Sequence, residues 1–422
     1  MNTAGLSPAV VVIAFDRTHT LARLFRSLGA ARYPSRDASG HGTPLIISID
    51  HSESPEVLRL AEEFHWPFGS KEIIRHETRL GLREHVLRCG DLALKHGAVI
   101  VLEDDLTVAP GFHDYARQAL EFYAGDDSVA GLSLYNYHLH PFAAAPGCDV
   151  RFDPLHDGHD NWFGCFASSW GQCWTAAQWS GFRAWLEKRP AHAVASTKLP
   201  ACVRNWPATS WKKLFHEYQI ETARYFVFPR VALSTNWGDA GTHLRGDTVR
   251  FQAPLLCGEM RWRFSRLAES RSIYDAHMEI EPRCLQAIIP ALRTVSFDVD
   301  LMALKEPPTV SAPFVLTLRA AQPAVWTFGL ALHPPELNVI HDVPGDALKL
   351  VAREHWLAAC ERPLPAATGQ DSNITARNRL DQAQASGLAE SIHVTRRRQH
   401  RRQRRSRWAP LARLSQWFAS WL

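Results

Sequence analysis

The sequence predicts an α/β fold with a mostly parallel sheet covered by helices on both faces, followed by a small β-rich module and a basic tail. Near-continuous apolar runs alternate with amphipathic segments over the first 130 residues, which is typical of parallel strands joined by helices. Several of the apolar runs end in charged residues, which is typical of the carboxyl edge of such a sheet, where ligands bind. With 422 residues, of which 46% are hydrophobic and 21% charged, the chain is long enough for two modest cores.

The elements of this sheet follow one another in order. "SPAVVVIAFDR" predicts a strand, "THTLARLFRSLGAARY" a helix and "TPLIISIDHS" a second strand. A helix through "SPEVLRLAEEFH", a short strand "KEIIRHE" and a helix "GLREHVLRCGDLALKHG" come next, with Gly97 as the expected C-cap of the last helix. "AVIVLEDD" then predicts a buried strand that runs into three carboxylates.

The remaining chain changes character twice. Residues 131–250 are rich in tryptophan, glycine and histidine, whose large rings suit either sugar faces or a core. In 290–352, "VSFDVDLMAL", "FVLTLRA", "VWTFGLALHP" and "NVIHDV" predict short antiparallel strands. We expect one domain over 1–285, a β-rich accessory module over 286–361, a flexible linker over 362–395 and a basic amphipathic tail over 396–422.

Composition indicates a cytoplasmic protein attached to the inner face of the plasma membrane. The sequence shows neither a membrane-spanning apolar run nor a signal-peptide pattern. Its eight cysteines form no CxxC pair or zinc spacing, so we expect reduced thiols. The tail joins "RRRQHRRQRRSR" to "WAPLARLSQWFASWL", which suits an interfacial helix on an anionic membrane. An arginine-rich nucleic-acid arm is the alternative, but it would not need the tryptophans, so nucleic acid is disfavoured.

Charged side chains follow three of the predicted strands. Solvated turns would explain any one of these exits, but all three together favour a shared site at the carboxyl edge of the sheet. A cluster of carboxylates at a strand end suits a hard divalent cation. The alternative is that Asp105 caps the next helix. The three exits contain Asp16 with Arg17, Asp50 with His51, and the carboxylate triplet Glu103, Asp104 and Asp105.

These segments resemble the nucleotide-binding half of GT-A glycosyltransferases. "VVIAFDR", "IISIDHS" and "VIVLEDDLTVAPGFHDY" carry the likeness, and the last is especially similar to the Golgi N-acetylglucosaminyltransferase I family. "YFVFPRVALSTNWGDAGTH" resembles bacterial family-2-like sugar transferases of surface polysaccharide synthesis. The resemblance, over about 8–250, implies a Rossmann-like GT-A domain with a nucleotide-sugar half at 1–130 and an acceptor half at 131–285.

The resemblance also implies roles for residues at the strand ends. Arg17, Asp50 and Arg79 would lie near the base and ribose of a nucleotide-sugar, with a UDP-sugar favoured. Asp104 would lie near the ribose or sugar, and Asp105 would bind Mn²⁺ or Mg²⁺ on the diphosphate. The acceptor would be a glycan or glycolipid, which fits attachment to a membrane.

An inverting transferase also needs a carboxylate base for the acceptor hydroxyl. Relatives often carry an acidic residue directly after a tryptophan in this region, but here Lys212 follows Trp211. This departure leaves the base open. Glu217, on the same predicted helix, is the first candidate, and Glu221 one turn later is the second.

Two further segments have the composition of a binding site. In "NWGDAGTH", glycines around Asp239 allow a close backbone approach to a ligand, including Gly241 as a substrate contact. Asp239 is a catalytic candidate, and His243 is a candidate for a phosphate contact or the metal shell; a plain turn is the alternative. In "WFGCFASSWGQCW", Trp162 and Trp170 are candidates for stacking on a sugar, with core packing as the alternative.

Two other functions remain open on the sequence alone. A nucleotidyltransferase of similar fold usually has a glycine-rich loop after its first strand, whereas "AFDRTHTLARL" contains no glycine. A non-catalytic carbohydrate-binding or scaffold protein would explain the tryptophans and the β-rich module, but not the three adjacent carboxylates.

Overall fold

The computed structural model describes residues 6–35, 42–52, 54–143, 149–190, 196–241 and 246–361. They form two compact units, one from described residues within Met1–Ala144 and Phe152–Glu281, the other from those within Ala145–Arg151 and Pro282–Leu422. The linker and tail predicted over 362–422 lie outside the described residues. Among the described helices, none combines the length and apolarity needed to cross a membrane.

The first unit alternates strands and helices in its first half and becomes less regular in its second. Its elements are β1 (Ala9–Ala14), α1 (Thr18–Ala30), β2 (Leu45–Ile49), α2 (Pro55–Glu63), β3 (Lys71–Arg75), α3 (Gly81–His96), β4 (Ala98–Glu103), β5 (Leu106–Val108), α4 (Phe112–Phe122), β6 (Val129–Ser133), β7 (Asn161–Gly164), β8 (Gln172–Thr175), α5 (Ala176–Lys188), α6 (Ala201–Arg204), α7 (Trp211–Thr222), β9 (Tyr225–Pro229), β10 (Ser234–Asn236) and β11 (Ile273–Tyr274).

Nine of these strands form one sheet in the order β11-β7-β9-β6-β8-β4-β1-β2-β3. Strands β3, β2, β1 and β4 are parallel neighbours, as are β6 with β9 and β7 with β11. Strand β8 enters antiparallel between β4 and β6. The predicted α/β fold with a large, mostly parallel sheet is therefore confirmed, and this architecture is consistent with a GT-A-like fold.

The inner parallel strands β1 and β2 are covered on both faces of the sheet. Every residue of β1 and β2 is buried. Helices α3 and α5 pack closely through Gly90, where an added Cβ would lie 2.1 Å from a ring carbon of Trp179. Helix α3 ends at Gly97 with φ 78°, the predicted C-cap. A capping box of Thr175 and Gln178 starts α5.

The second unit contains a four-stranded sheet. Its elements are α8 (Pro282–Ile288), β12 (Phe297–Asp300), β13 (Phe314–Thr317), β14 (Ala324–Phe328), α9 (Glu336–Ile340), β15 (Leu348–Ala352) and α10 (Arg353–Cys360). The sheet order is β12-β13-β15-β14, with β12–β13 parallel and the other pairs antiparallel. Trp356 is fully buried, and its indole nitrogen donates to Asp300 Oδ2 at 2.9 Å.

Two predictions for this unit are wrong in detail. Strand β12 pairs with β13 in parallel rather than antiparallel, and residues 338–340 of "NVIHDV" lie in helix α9 rather than in a strand. The Asn338 side chain explains the helix, because it donates to the carbonyls of Leu332 and Pro335 and accepts from the Leu332 amide, which closes a local turn. Its strand position is taken by β15, which pairs with both β13 and β14.

Candidate functional site

Arg17 and two carboxylates meet at the carboxyl ends of β1 and β4. Arg17 is the N-cap residue of α1, and its Nη2 donates to Asp104 Oδ1 and, at 3.2 Å, to Asp105 Oδ2. The other oxygen of Asp105, Oδ1, is buried and has no hydrogen-bond partner among the described residues. One arginine thus neutralises part of the charge of the triplet and leaves one buried carboxylate oxygen for a ligand.

Burial and mutual repulsion govern the charge states of this group. Burial raises the pKa of Asp104 to about 7, although Arg17 pulls it down. Burial, together with Asp105 and Asp104, raises the pKa of Glu103 to about 8. Burial also disfavours charge on Arg17, but the two adjacent aspartates outweigh it and hold the Arg17 pKa above its usual value. The edge therefore carries less negative charge than three ionised carboxylates would give.

The Asp239 loop lies against the same arginine. Strand β10 pairs with β5, and the Trp237 amide donates to the Asp105 carbonyl at 3.3 Å. A Cβ on Gly241 would lie 3.2 Å from Arg17 Nη1. Asp239 accepts two hydrogen bonds from Arg23, one of them 3.2 Å long.

The sequence-predicted Asp239 and Gly241 are thus brought to the triplet, whereas His243 lies outside the described residues. Burial opposes the charge of Asp239, but the bonds from Arg23 outweigh it and lower its pKa. Asp239 is consequently ionised and tightly paired.

Asp50 follows β2 and so lies at the carboxyl edge of the sheet, as predicted, but its carboxylate is bound by groups of its own chain. Its Oδ1 accepts from the amides of His51 and Leu80, both at 2.8 Å. Its Oδ2 accepts from the Gly81 amide at 3.1 Å and forms an ion pair with Arg79, whose Nε lies 3.1 Å away. Three backbone amides and one cation thus occupy most of the acceptor positions of this carboxylate. Asp50 therefore shapes the loop before α3, and the nucleotide contact implied by the resemblance stays a prediction.

Arg79 is the member of this pair that faces outward. Its side chain is 50% exposed, and its guanidinium carbon lies 3.3 Å from the centroid of the Phe15 ring. Asp50 and Phe15 thus fix a half-exposed cation beside the exit of β1. Arg79 keeps its place as a candidate ligand for the nucleotide or its phosphates.

Three other predicted residues lie away from this edge. Glu217 is 1% exposed and pairs with Arg189 at 2.5 Å, so it cannot take a proton from an acceptor at the surface. The second base candidate, Glu221, accepts from the Trp185 indole at 2.7 Å. Trp162 is completely buried and stacks on Phe228 with ring centroids 4.3 Å apart, so it belongs to the core. The helical pattern of α7 did not reveal which of its polar residues face inward.

Trp170, in contrast, is partly exposed and joined to the site. Its carbonyl accepts from Ser234 Oγ at 2.6 Å, and Ser234 begins the strand that pairs with β5. One residue not predicted to act here lies close to it, since Lys212 Nζ is 6.0 Å from the Trp170 ring centroid. Burial lowers the pKa of Lys212 to about 8, opposed by the charge of Glu103. The signal in the sequence was the lysine after Trp211, at a position where relatives often carry an acid.

No group of three or more His, Cys, Asp or Glu side chains within the described ranges forms a ready-made metal site. A metal at this edge would therefore rely on Asp105 and on oxygens of its substrate. A separate cavity of about 720 Å³ lies near Tyr33, Gly111 and Trp262, and none of the three carboxylates of the triplet lines it. None of the other candidate site residues in the described ranges lines that cavity either.

No protein-family model matches the chain, and no curated protein matches it. Among solved structures it is similar to S. aureus TarS 1–349, with 12% identity and a TM-score of 0.33 over 54% of this chain and 59% of that one. It is also similar to GalNAc-T7 with UDP, GalNAc and Mn²⁺, with 13% identity and a TM-score of 0.35 over 54% of this chain and 43% of that one. The chain thus spans less than two thirds of either structure, and neither likeness is close enough to assign an activity.

Proposed function

We propose that the protein is a metal-dependent, inverting glycosyltransferase that moves a sugar from a nucleotide-sugar donor, with UDP-sugars favoured, to a bacterial glycolipid or polysaccharide precursor. The observation that carries the proposal is the buried, unpartnered Oδ1 of Asp105 beside the Arg17–Asp104 pair. It lies where β1 and β4 end, the edge at which open α/β sheets bind ligands. The sequence resemblance to GT-A enzymes supports the same reaction class.

Asp105 would hold Mn²⁺ or Mg²⁺, since both are hard cations that prefer carboxylate oxygens. The unpartnered oxygen fits this role, and phosphate oxygens and water would complete the shell, with His243 as a further proposed ligand. When bound, the metal would neutralise charge on the departing nucleoside diphosphate. Arg17 would fix the orientation of Asp104 and Asp105, and Arg79 would supply a further positive charge to the nucleotide.

The catalytic base, which removes the proton from the acceptor hydroxyl, is expected at the carboxyl edge of the sheet. Asp239 is ionised but held by Arg23, which makes it a weak base. Glu103 ends β4 and makes no salt bridge with another described residue. We therefore propose Glu103 as the base in its ionised form and assign Asp239 to holding Arg23 and the loop that covers Arg17. Burial raises the pKa of Glu103 to about 8, so the ionised form is favoured at alkaline pH.

The direct test is donor turnover by the purified full-length chain. It should hydrolyse or transfer from a UDP-, GDP- or dTDP-sugar only with Mn²⁺ or Mg²⁺, and Asp105→Ala should abolish turnover. Asp127→Ala, which removes a carboxylate that is 98% exposed, serves as the matched control and should leave turnover unchanged. Metal-dependent turnover that survives Asp105→Ala would show that the metal lies elsewhere.

We also propose that the tail attaches the enzyme to anionic membranes, a role supported by its arginine run and its tryptophans. Deleting residues 396–422 should release the protein from liposomes that contain anionic lipid while leaving donor turnover intact. Equal liposome binding by the full-length and shortened chains would refute the attachment.

A further inference from the structure

Lys212, in the first turn of α7, makes no salt bridge or hydrogen bond within the described part of the chain, although Glu103 interacts with it electrostatically. Its Nζ lies 4.9 Å from the centroid of the Trp206 ring and 6.0 Å from that of Trp170. Among the described residues, no carboxylate forms a salt bridge with it and no group accepts a hydrogen bond from it. Burial lowers the Lys212 pKa to about 8, opposed by Glu103, so the ammonium keeps its proton at neutral pH.

The two rings beside this ammonium are fixed by other contacts. Trp170 packs against Tyr135 at 4.6 Å and Phe251 at 5.0 Å between ring centroids. The Trp206 ring packs against the buried His216 ring, with centroids 5.7 Å apart. Both rings are therefore positioned before any ligand arrives, and both remain partly exposed.

A half-buried ammonium between two indole rings costs free energy unless an anion compensates it. Its single positive charge matches one carboxylate better than a phosphate dianion. Indole rings offer flat apolar faces to the C–H face of a sugar. Arg17 offsets the charge of Asp104 and Asp105. Glu103 interacts with Lys212 electrostatically but forms no salt bridge with it, so the donor positions of the ammonium stay open to an anion.

We infer that Lys212, Trp170 and Trp206 form a subsite for a sugar that carries a carboxylate, as in a uronic acid. The carboxylate pairs with the ammonium, and the sugar ring packs on the indoles. That this sugar is a substrate rests on the proposed transferase function. The acidic sugar arrives either on the donor or on the acceptor, and the two sources can be separated by experiment.

The test compares two pairs of probes that differ only in the carboxylate. Methyl β-glucuronide and methyl β-glucoside report on an acceptor, and UDP-glucuronate and UDP-glucose report on a donor. Binding to the full-length protein with Mn²⁺ is measured by titration calorimetry or saturation-transfer NMR. We expect the acidic member of one pair to bind about tenfold more tightly, as a partly buried ion pair would give.

Three variants make the result specific. Lys212→Gln should reduce the preference to within about twofold, and Lys212→Arg should retain most of it. Lys198→Gln removes an exposed lysine from the same unit and should leave the preference unchanged. Equal binding within both pairs, or a preference that persists in Lys212→Gln, would overturn the inference. So would an equal loss of affinity for UDP alone, because Lys212 would then bind the diphosphate.

These binding measurements separate the subsite from the reaction. Metal-dependent donor turnover that is lost in Asp105→Ala, without any preference for the acidic probes, would support the transferase and exclude the subsite. A Lys212-dependent preference without turnover of any donor would support the subsite and count against the transferase.

Discussion

Replacing Asp50 by asparagine tests whether this carboxylate organises the edge of the sheet. The carboxylate accepts hydrogen bonds from three backbone amides and forms an ion pair with Arg79. Asparagine has the same size but only one acceptor oxygen. With that oxygen facing the amides of His51 and Leu80, its NH₂ group faces the Gly81 amide, so at least one hydrogen bond and the ion pair are lost.

The size of the effect follows from the lost amide bond and from the lost negative charge, which also weakens the hydrogen bonds that remain. A hydrogen bond to a charged acceptor contributes about 1.5–3 kcal/mol, and the ion pair with half-exposed Arg79 contributes least. We expect Asp50→Asn to lower the free energy of unfolding by about 3 kcal/mol. In a unit of this size, that corresponds to a fall in Tm of roughly 6–12 °C.

The loss should depend on pH in a defined direction. Burial opposes the Asp50 charge, but the amides of Leu80, Gly81 and His51 outweigh it and lower its pKa. The contribution is therefore complete above the unfolded value of about 4 and disappears as pH falls through the lower folded value. The difference between wild type and variant should be full at pH 7 and shrink below about pH 4.

Calorimetry and urea unfolding at both pH values measure this difference. Asp16→Asn is the matched control, because Asp16 follows the neighbouring strand but is exposed, and its Tm should stay within about 1 °C. A stability of Asp50→Asn within about 0.5 kcal/mol of wild type at pH 7 would refute the structural role. It would then favour the predicted nucleotide contact of Asp50.

Three further outcomes can be measured on the same protein. Gly90→Ala should cost about 1–3 kcal/mol in urea unfolding because its Cβ meets Trp179, whereas Gly258→Ala, with open space around it, should be neutral. Arg189→Met should lower the free energy of unfolding by about 3–5 kcal/mol, because it leaves the buried carboxylate of Glu217 without its ion-pair partner. The double variant Arg189→Met with Glu217→Met should recover much of the loss. Equal stability of the single and double variants would contradict this pairing. Burial lowers the pKa of four histidines, His85, His113, His140 and His216. The free energy of unfolding should therefore fall as pH drops from about 6.5 to 4, by up to about 1.4 kcal/mol per pH unit for each histidine that is protonated only in the unfolded chain. A stability that does not change over this pH range would contradict the lowered pKa values.

Sequence patterns predicted the sheet because β1 and β4 are apolar at nearly every position and end in charge. The same patterns placed the triplet at the correct edge, next to Arg17. They did not reveal that the Asp50 carboxylate accepts hydrogen bonds from backbone amides, because the donors at Leu80 and Gly81 lie about 30 residues away in the chain. Nor did they distinguish the buried Trp162 from the partly exposed Trp170. The burial of each ring depends on residues that pack against it from distant parts of the chain.

Strand β5 has a consequence for the order of folding. It begins directly after Asp105, and its partner in the described structure is β10, so that the Trp237 indole reaches Thr107 across 130 residues of chain. Closing so long a loop is slow and is favoured only once the intervening chain has folded. During synthesis, the strands of the first half of the sheet can pair before β10 is available to pair with β5 beside the carboxylate triplet. A chain cut before residue 234 should therefore still pair β1, β2, β3 and β4 but lack the partner of β5.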